Sequence, residues 1–214
     1  MSAVYVHHRI DCAPLQWNTV AERLLSAGGE IYGIWRSQIG LPRDTITAIT
    51  VWPNTPAAQD GAALFNNIEG VIRTETDIMA PTLRPKTSEP PRRQGNYAFR
   101  WFDTPEAHVP EFLELCEGAW PGFESAYDSQ VIGLWRVEGG ELDGSAGADE
   151  LVRILLITRR PDLAMWERSK LPANEEEAEV RRKLSRRYDL CDWTLVYTTT
   201  LITADDEKDE ARWA

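Results

Sequence analysis

Histidine and cysteine are scarce in this chain, three of each among 214 residues. The cysteines, Cys12, Cys116 and Cys191, are odd in number, far apart and without a C-x-x-C spacing. That pattern argues against a disulfide framework or a zinc site and for a reducing, cytoplasmic setting. His7 and His8 are adjacent, so on a strand they point apart and cannot share one ion; no metal site is expected. No apolar run approaches the roughly 18 residues that span a bilayer, so no membrane partner is expected. The start, Met1-Ser2-Ala3-Val4, lacks the basic-then-apolar order of a secretory leader. Gly-rich phosphate loops, G-x-S-x-G and recognisable Cys–His constellations are missing as well. Positive charge is outnumbered, with a formal net charge of −11, and an acidic chain repels phosphate backbones, so nucleic acid is not an expected partner.

Part of the acidity sits in residues 204–214, read as a solvated tail. The basic run Arg181-Arg182-Lys183 with Arg186-Arg187 follows Glu175-Glu176-Glu177 on one predicted helix. Acid-first, base-last order suits the helix dipole, and Glu177–Arg181 and Glu179–Lys183 are i,i+4 pairs, so this face is expected to be solvated.

What the chain does contain is itself, twice. Gly33-Ile34-Trp35-Arg36 returns as Gly133-Leu134-Trp135-Arg136. Val4-Tyr5-Val6-His7-His8-Arg9 matches Asn96-Tyr97-Ala98-Phe99-Arg100-Trp101, and both lead to an aspartate, Asp11 or Asp103, expected to be a cap or turn residue. Ile49-Thr50-Val51-Trp52-Pro53 matches Ile157-Thr158-Arg159-Arg160-Pro161, and Asp77-Ile78-Met79 is matched with Asp192-Trp193-Thr194. The offset grows along the chain, as it does when a second copy carries insertions such as the Gly-rich stretch 139–149.

Each copy reads as β-α-β-β-α-β. Trp17, Val20, Ala21 and Leu24 recur at helical spacing ahead of Gly28-Gly29, and Val109, Phe112, Leu113 and Cys116 repeat that spacing after Thr104-Pro105, an expected N-cap and N1 proline. Two β-rich runs form a hairpin in each copy, residues 31–36 with 45–52 and 130–137 with 151–158. The next helix opens at Thr55-Pro56 and carries Ala58, Gly61, Phe65, Ile68 and Ile72; its counterpart has Asn174 and Glu177 as a capping box and Val180, Leu184 and Tyr188 as its buried stripe. The expected fold is α+β: two tandem ferredoxin-like units, 1–84 and 96–203, joined by the proline-rich linker 85–95 and packed sheet to sheet as a pseudo-dimeric α/β barrel.

The Tyr97-Ala98-Phe99-Arg100 strand start, the doubled Gly-(Ile/Leu)-Trp-Arg strand and Ala119-Trp120-Pro121-Gly122-Phe123-Glu124 resemble the NIPSNAP family of the dimeric α/β-barrel superfamily. The resemblance runs from residue 4 to about 202 and implies the barrel fold. It implies no single activity, because that superfamily includes cofactor-free monooxygenases, isomerases, haem enzymes and proteins without a known reaction. Copy one departs from the pattern, with His8 in place of Arg100 and no Trp-Pro-x-Phe-Glu helix end.

Strand alternation puts Val6, His8 and Ile10 on one face and Ala98, Arg100 and Phe102 on its counterpart. Because Tyr97, Phe99 and Trp101 suit packing under helices, His8 and Arg100 are assigned to the inter-sheet face. There His8 is the candidate base and Arg100 the anion stabiliser; the alternative is that both merely hold the halves together. Glu124, beside an aromatic cluster, is a second candidate acid or base. Trp35, Trp135, Trp120, Phe123 and Tyr127 are candidates to wall a pocket for a small aromatic or apolar ligand, with Trp35 and Trp135 either lining it or serving as core. The leading expectation is a cofactor-independent lyase, isomerase or monooxygenase working by acid/base chemistry. The rival is a non-catalytic protein that binds a small molecule or haem, with His8 or His108 as axial ligand, or serves as a scaffold. A fused pair is expected to be a monomer or a homodimer.

Overall fold

A computed structural model describes residues 3–138 and 150–206; the Gly-rich insertion 139–149 and the acidic tail from 207 onward lie outside the described residues. The elements run β1 (Val4–Cys12), α1 (Trp17–Ser26), β2 (Glu30–Ile39), β3 (Thr45–Trp52), α2 (Thr55–Gly61), β4 (Val71–Arg84), β5 (Asn96–Pro105), α3 (Val109–Ala126), β6 (Gln130–Val137), β7 (Leu151–Arg160), α4 (Leu163–Arg168), α5 (Glu175–Asp189) and β8 (Trp193–Leu201). Strands hydrogen-bond in the closed order β1-β3-β2-β8-β5-β7-β6-β4. Within it, β4-β1-β3-β2 and β8-β5-β7-β6 each repeat the 4-1-3-2 order of a ferredoxin-like unit, so the α+β duplication is present as expected. Two compact units result. Among the described residues the first holds 3–79, 87–96 and 197–206, the second 80–86, 97–138 and 150–196.

In the first unit α1 buries Trp17, Val20, Ala21 and Leu24 against Ile10, Ile34, Ile46 and Ala48. In the second, α3 buries Phe112, Cys116, Trp120 and Phe123 against Phe102, Leu134 and Ile154. Phe102 meets Phe112 edge to face at 5.0 Å between ring centres. The strand faces are therefore the reverse of the sequence assignment. Ile10 and Phe102 lie under helices, which places His8 and Arg100 on the helix side with them. Tyr97, Phe99 and Trp101 occupy the helix-free face, and all three are buried. The alternation rule held; the face could not be chosen by apolarity because both faces of these strands are buried.

The doubled Gly-x-Trp-Arg strand has a steric reason. Gly33 and Trp35 share a face, and a Cβ on Gly33 would sit 2.3 Å from the Trp35 ring, as one on Gly133 would from the Trp135 ring. Only glycine lets the indole lie back along its own strand. Both indoles are fully buried on the face away from Ile34 and Leu134, and a register shift falls at Gly33 and again at Gly133.

Several local expectations change. The helix predicted to run to Ile72 stops at Gly61, and Ile72 is an exposed residue of β4. The helix does open at Thr55-Pro56, capped by Asn54, whose side chain accepts from the Ala57 N–H at 3.0 Å. Thr104 donates to the Leu190 carbonyl at 2.6 Å instead of capping, and a 3-10 turn, Glu106–His108, precedes α3. Asp103 is no cap but a two-pronged acceptor for Arg153, both distances 2.7 Å, and Asp11 accepts from the Thr45 hydroxyl at 2.9 Å. The strand that closes the first unit starts at Val71 and its counterpart at Trp193, so Asp77 and Asp192 are not equivalent. Part of the added length in the second copy is α5, which Asn174 caps by accepting from Glu177 N–H at 2.8 Å.

Candidate functional site

The Trp120-Pro121-Gly122-Phe123-Glu124 segment of α3 shapes the second unit in three ways. A Cβ on Gly122 would meet Val180 at 2.6 Å, so this glycine lets α5 lie close across α3. Glu124 pins the helix end: it takes Arg84 Nη1 at 2.6 Å and Nη2 at 3.2 Å, and the Val131 N–H at 2.8 Å. Trp120 and Phe123 then form one wall of a cavity of about 380 Å³.

The rest of the wall comes from β5 (Arg100), β6 (Val131), β7 (Leu156, Thr158, Arg160), α4 with the turn after it (Trp166, Ser169, Lys170), α5 (Arg181, Leu184, Arg187, Tyr188) and β8 (Val196). Glu177 holds the α4–α5 connection in place, accepting from Arg168 at 2.9 Å, from the Ala173 N–H at 2.9 Å and from the Tyr127 hydroxyl at 3.2 Å. The Ala173 N–H and the Arg168 guanidinium keep its carboxyl below the usual range. Glu177 is thereby unavailable to Arg181, the pairing its spacing suggested. Of the basic run on α5, Arg182, Lys183 and Arg186 pair with Glu179 or Glu111 as a solvated face does. Arg181 and Arg187 line the cavity instead.

Electrostatics set this cavity apart. Among the described residues five cations line it and no carboxylate does, in a chain of net charge −11. Lys170 pairs with Glu167 at 3.1 Å. Among the described residues no carboxylate stands within ion-pair distance of Arg100, Arg160, Arg181 or Arg187. Arg187 instead donates to Cys116 Sγ at 3.3 Å and lies over the rings of Phe102 and Phe112. Arg160 is 8% exposed, stacks on Phe123 (4.9 Å) and Trp166 (5.4 Å), and donates through Nη1 to Thr158 Oγ1 at 3.3 Å; its Nε has no partner among the described residues. Burial, reinforced by repulsion from Arg100, pushes the Arg160 guanidinium down to about 10. Arg100 is also lowered, first by burial and then by Arg187 and Arg181, although it donates to the Tyr188 hydroxyl.

Of the residues singled out from sequence, the structure brings Arg100, Trp120 and Phe123 to this cavity. It does not bring the others. His8 is wholly buried in the first unit, its Nε2 3.1 Å from Thr50 Oγ1 and its ring 4.8 Å from Phe65; burial, then the neighbouring His7, takes it down to about 3. Glu124 is committed to Arg84 and Val131, and the Tyr127 hydroxyl donates to Glu177. Trp35 and Trp135 fill the helix-free faces of their own strands. His7, not His8, stands on the helix-free face of β1, with Nδ1 3.0 Å from Asp77 and Nε2 3.2 Å from the Tyr197 hydroxyl. His108 Nδ1 donates to the Leu190 carbonyl at 3.1 Å. No cluster of three potential metal ligands occurs among the described residues.

Sequence reasoning passed over Arg160, Trp166, Arg181, Arg187 and Tyr188. The signal for Arg160 was present in the repeat, which matches it to Trp52, and Thr158 lies opposite Val131 as Thr50 lies opposite Ile31.

No family model matches the chain, and no curated protein does either. Solved structures do. An anthrone oxidase-like protein aligns with a TM-score of 0.57 at 11% identity, over 94% of this chain and 92% of its own. A ferredoxin-fold protein from Listeria monocytogenes, related to antibiotic biosynthesis monooxygenases, aligns with a TM-score of 0.51 at 9% identity over 94% and 95%. A heme-binding protein from Thermus thermophilus aligns with a TM-score of 0.51 at 10% identity over 94% and 91%. The chain has the ferredoxin-like α/β-barrel fold that these proteins share. At such identities the likeness extends to the fold alone. No helix among the described residues is long and apolar enough to cross a membrane.

Proposed function

We propose that this protein binds a small anionic molecule with a flat, aromatic body in the cavity of its second unit. One observation carries this reading: four guanidinium groups without carboxylate partners among the described residues face a cavity walled by Trp120, Phe123 and Trp166. Arg160 and Arg187 are buried, and buried charge without a counter-charge is costly, so an anion in the cavity would offset that cost. Arginine forks match planar oxyanions and the rings match a flat apolar body. The three free thiols agree with a reducing, cytoplasmic setting, and the NIPSNAP-like motifs with membership of that family.

Isothermal titration with matched pairs, benzoate against benzamide and naphthoate against naphthamide, tests the reading. The acids bind and the amides do not, and the Arg160→Leu variant loses the acids. Equal binding of acid and amide contradicts it.

A second reading, cofactor-independent acid/base catalysis on the bound molecule, draws on Tyr188. Its hydroxyl lines the cavity and accepts from Arg100, a cation suited to stabilise a phenolate there. His8 and Glu124, the acid/base candidates from sequence, lie away from the cavity. A Tyr188→Phe variant that retains ligand affinity and loses turnover supports catalysis; one that keeps turnover removes Tyr188 from it. Haem fits the residues less well. Among the described residues no histidine, cysteine or methionine lines the cavity, and Tyr188 is engaged by Arg100.

A further inference from the structure

We infer that the anionic group this cavity takes is a phosphate monoester, so that its ligand is an aromatic or heteroaromatic phosphate and not a simple carboxylate. The inference rests on the anion-binding reading above and deepens it. Three observations point the same way.

The first is clustering. Arg100, Arg160, Arg181 and Arg187 all line the same cavity, where Arg100 donates to the Tyr188 hydroxyl and Arg160 to Thr158, and Arg100 lies near enough to the other three for mutual repulsion. Two separate carboxylates on one ligand would call for two separated cation pairs. A single compact group of high charge calls for one cluster.

The second is charge. A carboxylate brings one negative charge to this cluster, whereas a phosphate monoester brings about 1.5 to 2 near neutral pH and offers three strong acceptor oxygens in place of two. With four arginines lacking any carboxylate partner, the phosphate compensates more of the stored repulsion.

The third is the polarity of the neutral polar groups. Thr158 Oγ1 accepts from Arg160, and the Tyr188 hydroxyl accepts from Arg100, so each hydroxyl has its own proton left to donate. Arg160 Nε, buried and without a partner among the described residues, is a further donor. The cluster is therefore rich in N–H and O–H donors for its ligand. A fully ionised phosphate, with three acceptor oxygens to a carboxylate's two, engages more of those donors. The body of the ligand lies against Trp120, Phe123 and Trp166, with room set by the 380 Å³ cavity.

Titration calorimetry of the intact protein with phenyl phosphate, benzoate and benzamide distinguishes the outcomes. Near pH 7.5 phenyl phosphate binds about ten-fold more tightly than benzoate. Lowering the pH to about 5, below the second ionisation of the phosphate near 6, weakens phenyl phosphate several-fold and leaves benzoate, still ionised, nearly unchanged. Arg181→Ala, at an exposed helix position where folding is not at risk, costs phenyl phosphate more affinity than benzoate. If benzoate binds as tightly as phenyl phosphate, or if phenyl phosphate is insensitive to this pH change, the phosphate assignment is overturned while the anion-binding reading stands. If neither anion binds better than benzamide, the anion-binding reading itself falls.

Discussion

Arg160 stands at the end of β7 where Trp52 stands at the end of β3, and each donates a hydrogen bond to the hydroxyl of the threonine two residues before it. The Trp52 indole reaches Thr50 Oγ1 at 2.8 Å and Arg160 reaches Thr158 Oγ1 at 3.3 Å. In the first unit that threonine also meets His8, with Phe65 against the His8 ring. In the second, Arg100 replaces His8 and α5 arches over the place, leaving a cavity. One framework has thus been used twice, once as core and once as a charged site.

An energetic consequence follows for the empty protein. Arg160 is buried, stripped of water and repelled by Arg100, so Arg160→Leu should raise stability by about 1 kcal/mol while abolishing anion binding. Chemical denaturation of wild type and variant without ligand checks this. A variant less stable than wild type would mean that Arg160 is well satisfied in the empty protein.

The first unit should carry an acid sensitivity at His8. In the unfolded chain His8 takes up a proton near pH 6.5, whereas in the folded chain it resists protonation down to about 3. Between those values the unfolded state binds one more proton, so acid favours unfolding, by up to about 1.4 kcal/mol per pH unit from this group. His8→Gln should flatten the dependence of the urea midpoint on pH between these limits. An unchanged slope would remove His8 as its source.

The Gly-x-Trp strand predicts a steric cost. Gly133→Ala puts a Cβ 2.3 Å from the Trp135 ring, and Gly33→Ala does the same at Trp35. Each should lower stability by about 2 kcal/mol or more, read from denaturant midpoints, with similar size in the two copies. A neutral substitution at either site would show that its indole moves aside freely.

Glu124 separates structure from binding. Glu124→Ala leaves the Val131 N–H without its acceptor and the Arg84 guanidinium with only the Val131 carbonyl, and should cost about 2 kcal/mol of stability. Affinity for aromatic anions should persist at temperatures where the variant is folded. Loss of affinity without loss of stability would place Glu124 in the site after all.

These outcomes also explain what could be read in advance. The duplication, the element order and the buried stripe of α1 follow from periodicities that the chain prints directly, and Trp17, Val20, Ala21 and Leu24 are indeed buried together. Face assignment failed at Tyr97, Phe99 and Trp101 because strands buried on both sides carry no polar face to mark the outside. The site was legible only in part. Arg100, Trp120 and Phe123 stood out, but α5 looked like a solvated helix because its charges balance along the sequence. Glu177 is drawn away to Arg168, the Ala173 N–H and Tyr127, a three-dimensional choice that leaves Arg181 unpaired and that no i,i+4 rule anticipates.

The central claim is that the cavity of the second unit is an anion site with aromatic walls. A crystal soaked with 4-bromobenzoate and measured at the bromine edge tests it most directly. The account predicts an anomalous bromine peak among Trp120, Phe123 and Trp166, with the carboxylate on Arg100 and Arg160. A peak elsewhere, or none at a concentration that saturates binding in solution, would contradict it.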